Sequence, residues 1–347
     1  MKICYFGIYD RDFGRNKIYI EGLEQFGHKI LECRDASFGP LKFWRLFVKH
    51  RQIKNNYDFM MVGYPGHLIV LLAKLISRKP VVADLLGSLE DAEFYSHGKG
   101  FWRQIKNKII DRLAVWFADA ILLESHAQKE FFAEKFGPSK KYHVIYTGAE
   151  NIFFDKNIAT KNKELGFQII FRGKLTPESG IKYVLQAANL LKSEQNIKFK
   201  IIGRGYLLAE VKQDIAKMSL SNLKLIDNYL SPETLLAEVA KADLYLGQFA
   251  DNPRLNRTIP HKVYEALAMG IPYLSGDARA IKEIITNGET GFLCPLADPR
   301  ALADKILSLS TNLGLLHKVA HNARQLATAQ FTPAKLASDI ILLVPHA

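Results

Sequence analysis

Lys262 and Glu265 lie three residues apart in the stretch Thr258-Ile259-Pro260-His261-Lys262-Val263-Tyr264-Glu265-Ala266-Leu267-Ala268-Met269-Gly270-Ile271-Pro272, so on a helix they share a face. A lysine with a carboxylate one turn further on suits a nucleoside diphosphate. The lysine meets phosphate, and Glu265 accepts from ribose hydroxyls as the acidic residue of a dinucleotide fold does. The spacing predicts a helix with marked ends. Thr258 is placed to cap the free amides and Pro260 suits the first turn. Gly270 and Pro272 stop it about ten residues later, ~15 Å at 1.5 Å per residue. Its N-terminus offers unpaired N–H groups and a positive dipole to phosphate. The alternative is an amphipathic helix whose Lys262 and Glu265 pair in solvent.

Two further stretches join glycine to base. Phe171-Arg172-Gly173-Lys174-Leu175-Thr176-Pro177-Glu178-Ser179-Gly180 reads strand, basic loop, helix. Ile201-Ile202-Gly203-Arg204-Gly205 repeats the pattern after the next strand. One Gly-x-Gly marks any tight turn. Two such loops with the Pro260 helix are able to converge on one crevice.

The elements that must position these residues alternate strand and helix. Strands are predicted at 3–7, 28–33, 59–63, 81–84, 120–123 and 143–146, with helices at 15–26, 40–54, 67–77, 101–118 and 127–136. The alternation restarts with strands at 167–171, 199–202, 223–226, 244–247, 273–275 and 292–294. Its helices are predicted at 177–193, 206–218, 232–240, 260–269, 278–286 and 299–309. Apolar strands joined by helices make a parallel, doubly wound α/β sheet. At 347 residues the chain has room for two such domains. The polar, aperiodic stretch 155–165 reads as the linker. The expected division is an N-terminal Rossmann-like domain over 1–160, a C-terminal one over 161–328, and a terminal helix within 329–347 packing back on the first. Ligands of such pairs bind in a cleft at the C-terminal ends of the strands.

Taken together, these residues resemble the GT-B fold glycosyltransferases of the large retaining family 4, the glycosyl transferases group 1, over nearly the whole chain. The resemblance rests on the Gly173-Lys174 loop with Gly180, on Ile202-Gly203-Arg204-Gly205, and on Ala242-Asp243-Leu244-Tyr245-Leu246. Glu265 through Pro272, Glu289 through Pro295, Ser125 and Thr147-Gly148-Ala149-Glu150 complete it. It implies transfer of a sugar from a nucleotide-diphosphate sugar to an acceptor hydroxyl with retention, without a covalent enzyme intermediate. Lys174 stands where the family places an arginine on the donor diphosphate, and lysine serves there as a point charge. Glu265 matches the second glutamate of a Glu-x7-Glu pair. The first falls at Arg257, which cannot accept from sugar hydroxyls. A second family lysine is Ser179 here. A Pro-x-Lys-x-x-Glu variant occurs in related members, so Lys262 supplies the missing charge, with phosphate on the Thr258 and Ile259 amides.

In the first domain the resemblance implies a donor and acceptor loop at Gly14-Arg15-Asn16. It also implies a catalytic residue after a middle strand, for which Asp84 is the candidate beside Ser88 and Asp91; a capping aspartate is the alternative. Asp10-Arg11-Asp12 imitates the metal-binding DxD of the other glycosyltransferase fold but reads as a turn. No metal or other cofactor is expected, because Lys174, Lys262 and the helix dipole suffice for the leaving diphosphate.

Net charge is +12, which favours an acidic partner. Between Asp35 and Asp58 there is no acid, while Lys42, Arg45, Lys49, Arg51 and Lys54 fall there beside Leu41, Phe43, Trp44, Phe47 and Val48. Residues 99–108 repeat this mixture around Trp102. Basic amphipathic helices with Trp and Phe lie on anionic membrane surfaces; the alternative is that Trp44 and Trp102 face the core. No nucleic-acid motif accompanies the charge. Cys4, Cys33 and Cys294 lie too far apart in sequence for a zinc or disulfide pattern. Residues 1–7 read as a strand too short for a signal peptide, and no apolar run reaches the length of a spanning helix. The expectation is therefore a cytoplasmic enzyme, peripheral at the inner face of the plasma membrane, acting on a glycan or lipid-linked acceptor in cell-envelope polysaccharide or lipid-linked glycan synthesis. The alternatives are a nucleotide-sugar epimerase or phosphorylase of the same fold, or a non-catalytic sugar- or membrane-binding relative.

Overall fold

A computed structural model describes residues 1–54, 56–92, 100–155 and 165–344. The core of the expected linker, 156–164, and Lys99 of the second basic stretch lie outside them. The chain divides into one unit of Met1–Glu150 with Gln330–Ala347 and another of Asn151–Ala329.

The first unit carries a six-stranded parallel sheet: β1 (Lys2–Gly7), β2 (Lys29–Arg34), β3 (Phe59–Val62), β4 (Val81–Leu86), β5 (Ala120–Leu123) and β6 (Tyr142–Val144). Their spatial order is β2-β1-β3-β4-β5-β6. Its helices are α1 (Gly14–Gln25), α2 (Leu41–Ile53), α3 (Val70–Ile76), α4 (Phe101–Phe117) and α5 (His126–Phe136). Strand residues alternate between two cores. Cys4, Phe6, Met60 and Val62 pack with Leu46 of α2, Val70 of α3, Ala114 of α4 and Phe132 of α5. Ile3, Tyr5, Phe59 and Met61 pack with Ile18 and Leu23 of α1 on the other face.

The second unit repeats the design with β7 (Phe167–Arg172), β8 (Ile197–Ile202), β9 (Leu223–Ile226), β10 (Leu244–Leu246), β11 (Tyr273–Gly276) and β12 (Phe292–Cys294). The order β12-β11-β10-β7-β8-β9 reverses direction at β7 and β10. The helices are α6 (Ile181–Leu190), α7 (Leu208–Lys217), α8 (Pro232–Val239), α9 (His261–Met269), α10 (Pro299–Ser310) and α11 (Leu313–Gln330). Then α12 (Pro333–Leu342) packs on α1 within the first unit. Gly22 permits that contact, since a Cβ there would sit 2.0 Å from the Pro333 carbonyl oxygen.

Three helices depart from expectation. The helix expected over 177–193 is broken at Gly180, which takes φ +66° and where a Cβ would meet the Ala250 nitrogen at 2.4 Å, so that glycine is required on both counts. The segment 278–286 makes only a single tight turn, Ala280–Glu283. There Thr290 takes over the turn's end, its hydroxyl donating to Ile284 O and accepting from the Thr286 amide. Helix α11 corresponds to no predicted element, and the expected boundary at 328/329 falls inside it. Leu316, Val319, Ala323 and Ala327 form its buried stripe, and Asn312 Oδ1 accepts from the Leu315 amide at its start.

Candidate nucleotide-diphosphate site

The residues singled out in the second unit gather where its strand order reverses, the position at which open α/β sheets bind ligands. The two glycine loops interlock. Gly173 N donates to Ile202 O, Leu175 N to Arg204 O, and Leu207 N back to Leu175 O. A Cβ on Gly203 would lie 2.1 Å from Gly173 O, and one on Gly205 2.3 Å from Leu175 O. Only glycine allows the two strand ends to touch, with Lys174 and Arg204 left exposed on either side of the junction.

Helix α9 is buried along nearly its whole length, Lys262 through Met269, so the solvent-facing alternative is excluded. Its apolar side chains drive Lys262 and Glu265 inward among Phe171, Tyr245 and Tyr273. Lys262 Nζ donates to Gly247 O at 2.6 Å and stacks over Phe171, 3.8 Å from the ring centroid. Burial, with the Arg172 charge adding to it, pushes the Lys262 ammonium well below the ordinary lysine range, although Glu265 opposes the shift. A Cβ on Gly173 would come within 4.0 Å of Lys262 Nζ. The lysine therefore stands directly at the first glycine loop.

Glu265 is paired with a residue the sequence reading left without a role. Both carboxylate oxygens accept from Arg172 Nη1, Tyr245 Oη lies 3.4 Å from Oε2, and His261 Nδ1 is 3.9 Å away. Burial by itself would raise the Glu265 carboxyl; Arg172 and His261 outweigh it and hold the group below the usual carboxylate range. The same carboxylate raises the Arg172 guanidinium against its own desolvation. One signal for Arg172 was present in the sequence: a base closing an apolar strand directly before glycine.

Two donor-side expectations are corrected. Thr258 does not cap α9: the helix begins after Pro260 without a side-chain cap. The Thr258 amide and hydroxyl both donate to Arg254 O instead, so that amide is not free for phosphate. Arg257 ends the tight turn Pro253–Asn256, its amide bonded to Arg254 O, and Ile259 is buried beside it. Ser179, in the position of the family lysine, bonds its hydroxyl to Thr176 O at 2.6 Å.

The first-unit candidates are corrected more deeply. Gly14, Arg15 and Asn16 do not form a loop; they open α1. Arg15 Nε donates to both oxygens of Asp84 at 3.0 and 2.8 Å, with both side chains at 0% exposure. Arg15 Nη1 bonds Ile145 O and Thr147 Oγ1. Asn16 accepts from Tyr5 and the Tyr64 amide and donates to Asp10 O and Tyr64 O. Asp84 is thus the counter-ion of a buried arginine, neither helix cap nor accessible base. Asp10-Arg11-Asp12 is a turn, closed by the Asp12 amide on Asp10 Oδ1. Ser88 is tied to Asp111 at 2.7 Å. Among the described residues, no group of three His, Cys, Asp or Glu is arranged to hold a metal.

Two doubly wound parallel domains, the second with a glycine-rich, lysine- and glutamate-bearing switch point, define the GT-B class. A solved structure of Anabaena Alr3699/HepE in complex with UDP superposes with a TM-score of 0.76 at 19% identity, covering 99% of each chain. Residues 151–326 match the family model described as glycosyl transferases group 1, and the chain belongs to that family. It is a glycosyltransferase. Among curated relatives, N-acetyl-alpha-D-glucosaminyl L-malate synthase of Bacillus anthracis is 23% identical over 297 residues, 82% of this chain and 74% of that one. The capsular polysaccharide biosynthesis glycosyltransferase CapM of Staphylococcus aureus is 23% identical over 310 residues, 84% and 76%.

Proposed function

We propose that the chain is a retaining family 4 enzyme that binds a nucleotide-diphosphate sugar at the β7–β10 switch point of its second unit. The observation that carries this reading is the convergence of the Gly173 and Gly203–Gly205 loops with Lys262 and Glu265 at one strand edge. Lys174 and Lys262 hold the diphosphate together with the N-terminus of α9, Arg204 and Arg257 lie at the flanks, and Glu265 receives the ribose hydroxyls. In the reaction the bond from the anomeric carbon to the diphosphate oxygen breaks, and a bond to the acceptor oxygen forms on the same face. The acceptor proton passes to the leaving phosphate. No metal enters this scheme, since fixed cations and amides meet the developing charge. Membership of the glycosyltransferase family favours transfer over the epimerase, phosphorylase and non-catalytic alternatives. The deciding assay follows nucleoside diphosphate release with and without added glycan or lipid-linked acceptor. Release only with acceptor is expected; release alone, or interconversion of the sugar, contradicts transfer.

The acceptor we propose is lipid-linked, in polysaccharide or glycan synthesis at the inner face of the plasma membrane. Support comes from the outer surface of α2 and α4. Trp44, Trp102 and Trp116 are 64%, 80% and 76% exposed. The inward face of α2 is Leu46 and His50, so the Leu41-Trp44-Val48 stripe points to solvent beside Lys49 and Arg51. Along α4, Trp102, Ile105, Ile109 and Trp116 repeat at helical spacing. No described helix is long and apolar enough to cross a membrane, and amphipathic helices of this kind lie in the interface plane. Flotation with anionic and neutral vesicles at low salt tests it: binding only to anionic vesicles is expected, and binding to neither removes the membrane.

A further inference from the structure

Arg172 closes β7 next to Gly173 and is the group that holds the Glu265 carboxylate. The other nearby cation does not substitute for it. Lys262 Nζ turns away from Glu265, toward Gly247 O and the face of Phe171 beside the first glycine loop. His261 stands off at 3.9 Å. Beside Glu265 also lie the buried phenols of Tyr245 and Tyr273, whose hydroxyls burial keeps in the neutral form. A carboxylate offers about four acceptor positions. Arg172 Nη1 takes one on each oxygen and Tyr245 lies against a third, which leaves one for a ligand hydroxyl. Arg172 Nη1 bridges the two oxygens, so it sets the carboxylate's rotation as well as its charge.

We propose that Arg172 is a positioning residue for ribose recognition: it orients Glu265 so that the carboxylate's remaining acceptor position meets a ribose hydroxyl of the bound nucleoside diphosphate. The inference rests on the donor-site reading above and adds a residue to it. Arg172 acts through Glu265 and contributes chiefly to the hydroxyl contact, while Lys174 and Lys262 carry the diphosphate. Removing Arg172 therefore costs discrimination between a ribose and a sugar without hydroxyls, and leaves the phosphate contribution largely in place.

Calorimetric titration of the full chain with UDP, GDP, ADP and CDP, each beside its 2′,3′-dideoxy counterpart, tests this. For the wild type, the preferred ribonucleotide should bind about tenfold or more tightly than its dideoxy form. In Arg172→Met that ratio should fall to about threefold or less, with the dideoxy affinity nearly unchanged; Arg172→Lys should recover only part of it. Melting of each variant without ligand identifies folded protein, and if Arg172→Met does not fold, Arg172→Lys alone must show the reduced ratio. Undiminished discrimination in the folded variant overturns the proposal. If Glu265→Gln loses the ratio while Arg172→Met keeps it, Arg172 has no part in recognition and the donor site stands. If the wild type binds none of the four, or shows no ratio, the donor-site reading falls together with the proposal.

Discussion

Each domain of this chain sets an arginine against a buried carboxylate, and the two pairs differ in their surroundings. Arg15 and Asp84 are wholly sealed: Arg15 Nη1 reaches a carbonyl and a hydroxyl of the same core, and Nη2 is buried without a partner. Arg172 and Glu265 sit at the rim of the second sheet, where the arginine keeps 30% of its side chain in solvent beside two interlocked glycine loops. A sealed pair has no exposed edge for a ligand to approach. A rim pair flanked by glycine and a buried lysine has one. The chemistry of the groups is nearly the same; the surroundings separate a structural pair from the one proposed to recognise a ligand.

The largest expected effect comes from breaking the sealed pair. Arg15→Met leaves Asp84 uncompensated and should cost about 3–5 kcal/mol of stability, read by urea unfolding. A loss under about 1 kcal/mol in that measurement would make the pair dispensable. Glu265→Gln should cost far less stability, because Arg172 still reaches water, yet weaken nucleoside diphosphate binding about tenfold, ~1.4 kcal/mol. If Glu265→Gln unfolds as readily as Arg15→Met, the contrast between the pairs is lost.

Acid sharpens the same contrast. The folded-state pKa of Glu265 is lowered from 4.5, so its contribution is present above that value and is lost as pH falls through the folded pKa. Wild type and Glu265→Gln should therefore converge in stability as pH drops below about 4.5 and separate above it; parallel curves would contradict this. Lys262 runs the other way. Its folded-state pKa is depressed by burial, so the folded protein carries a penalty at neutral pH that shrinks as pH rises toward 10.5. Lys262→Met should melt no lower than wild type at pH 7 while binding diphosphate more weakly. A large fall in melting temperature would show the lysine to be structural. The smallest effect on stability is expected for Trp44→Ala with Trp102→Ala, within about 0.5 kcal/mol, with loss of binding to anionic vesicles in flotation.

The same contrast explains what the sequence made legible. Strands end at glycine and helices open at proline, so the elements around Gly173, Gly203 and Pro260 are readable from local signals. The glycine loops and the Lys262–Glu265 spacing fall in that class. Asp84 does not: an aspartate closing an apolar run reads the same whether it faces a substrate or an arginine 69 residues away. Arg172 was visible but had no local partner, since Glu265 lies 93 residues downstream. Helix α11 lacks a proline or glycine boundary signal of the usual kind, and only its Leu316-Val319-Ala323-Ala327 stripe betrays it. Trp44 and Trp102 kept two readings open, and their exposure removes the one in which they face the core.

A nucleoside diphosphate is proposed to be held by Lys262 and Glu265 at the β7–β10 switch point. The most direct test of this is a thermal-shift series with UDP, GDP, ADP, CMP and dTDP on the wild type and on Glu265→Ala. A ligand at 100 times its dissociation constant adds about 2.7 kcal/mol of stability. One nucleotide should raise the melting temperature of the wild type and leave the variant unmoved. Equal stabilisation of both proteins, or of neither, would contradict the account.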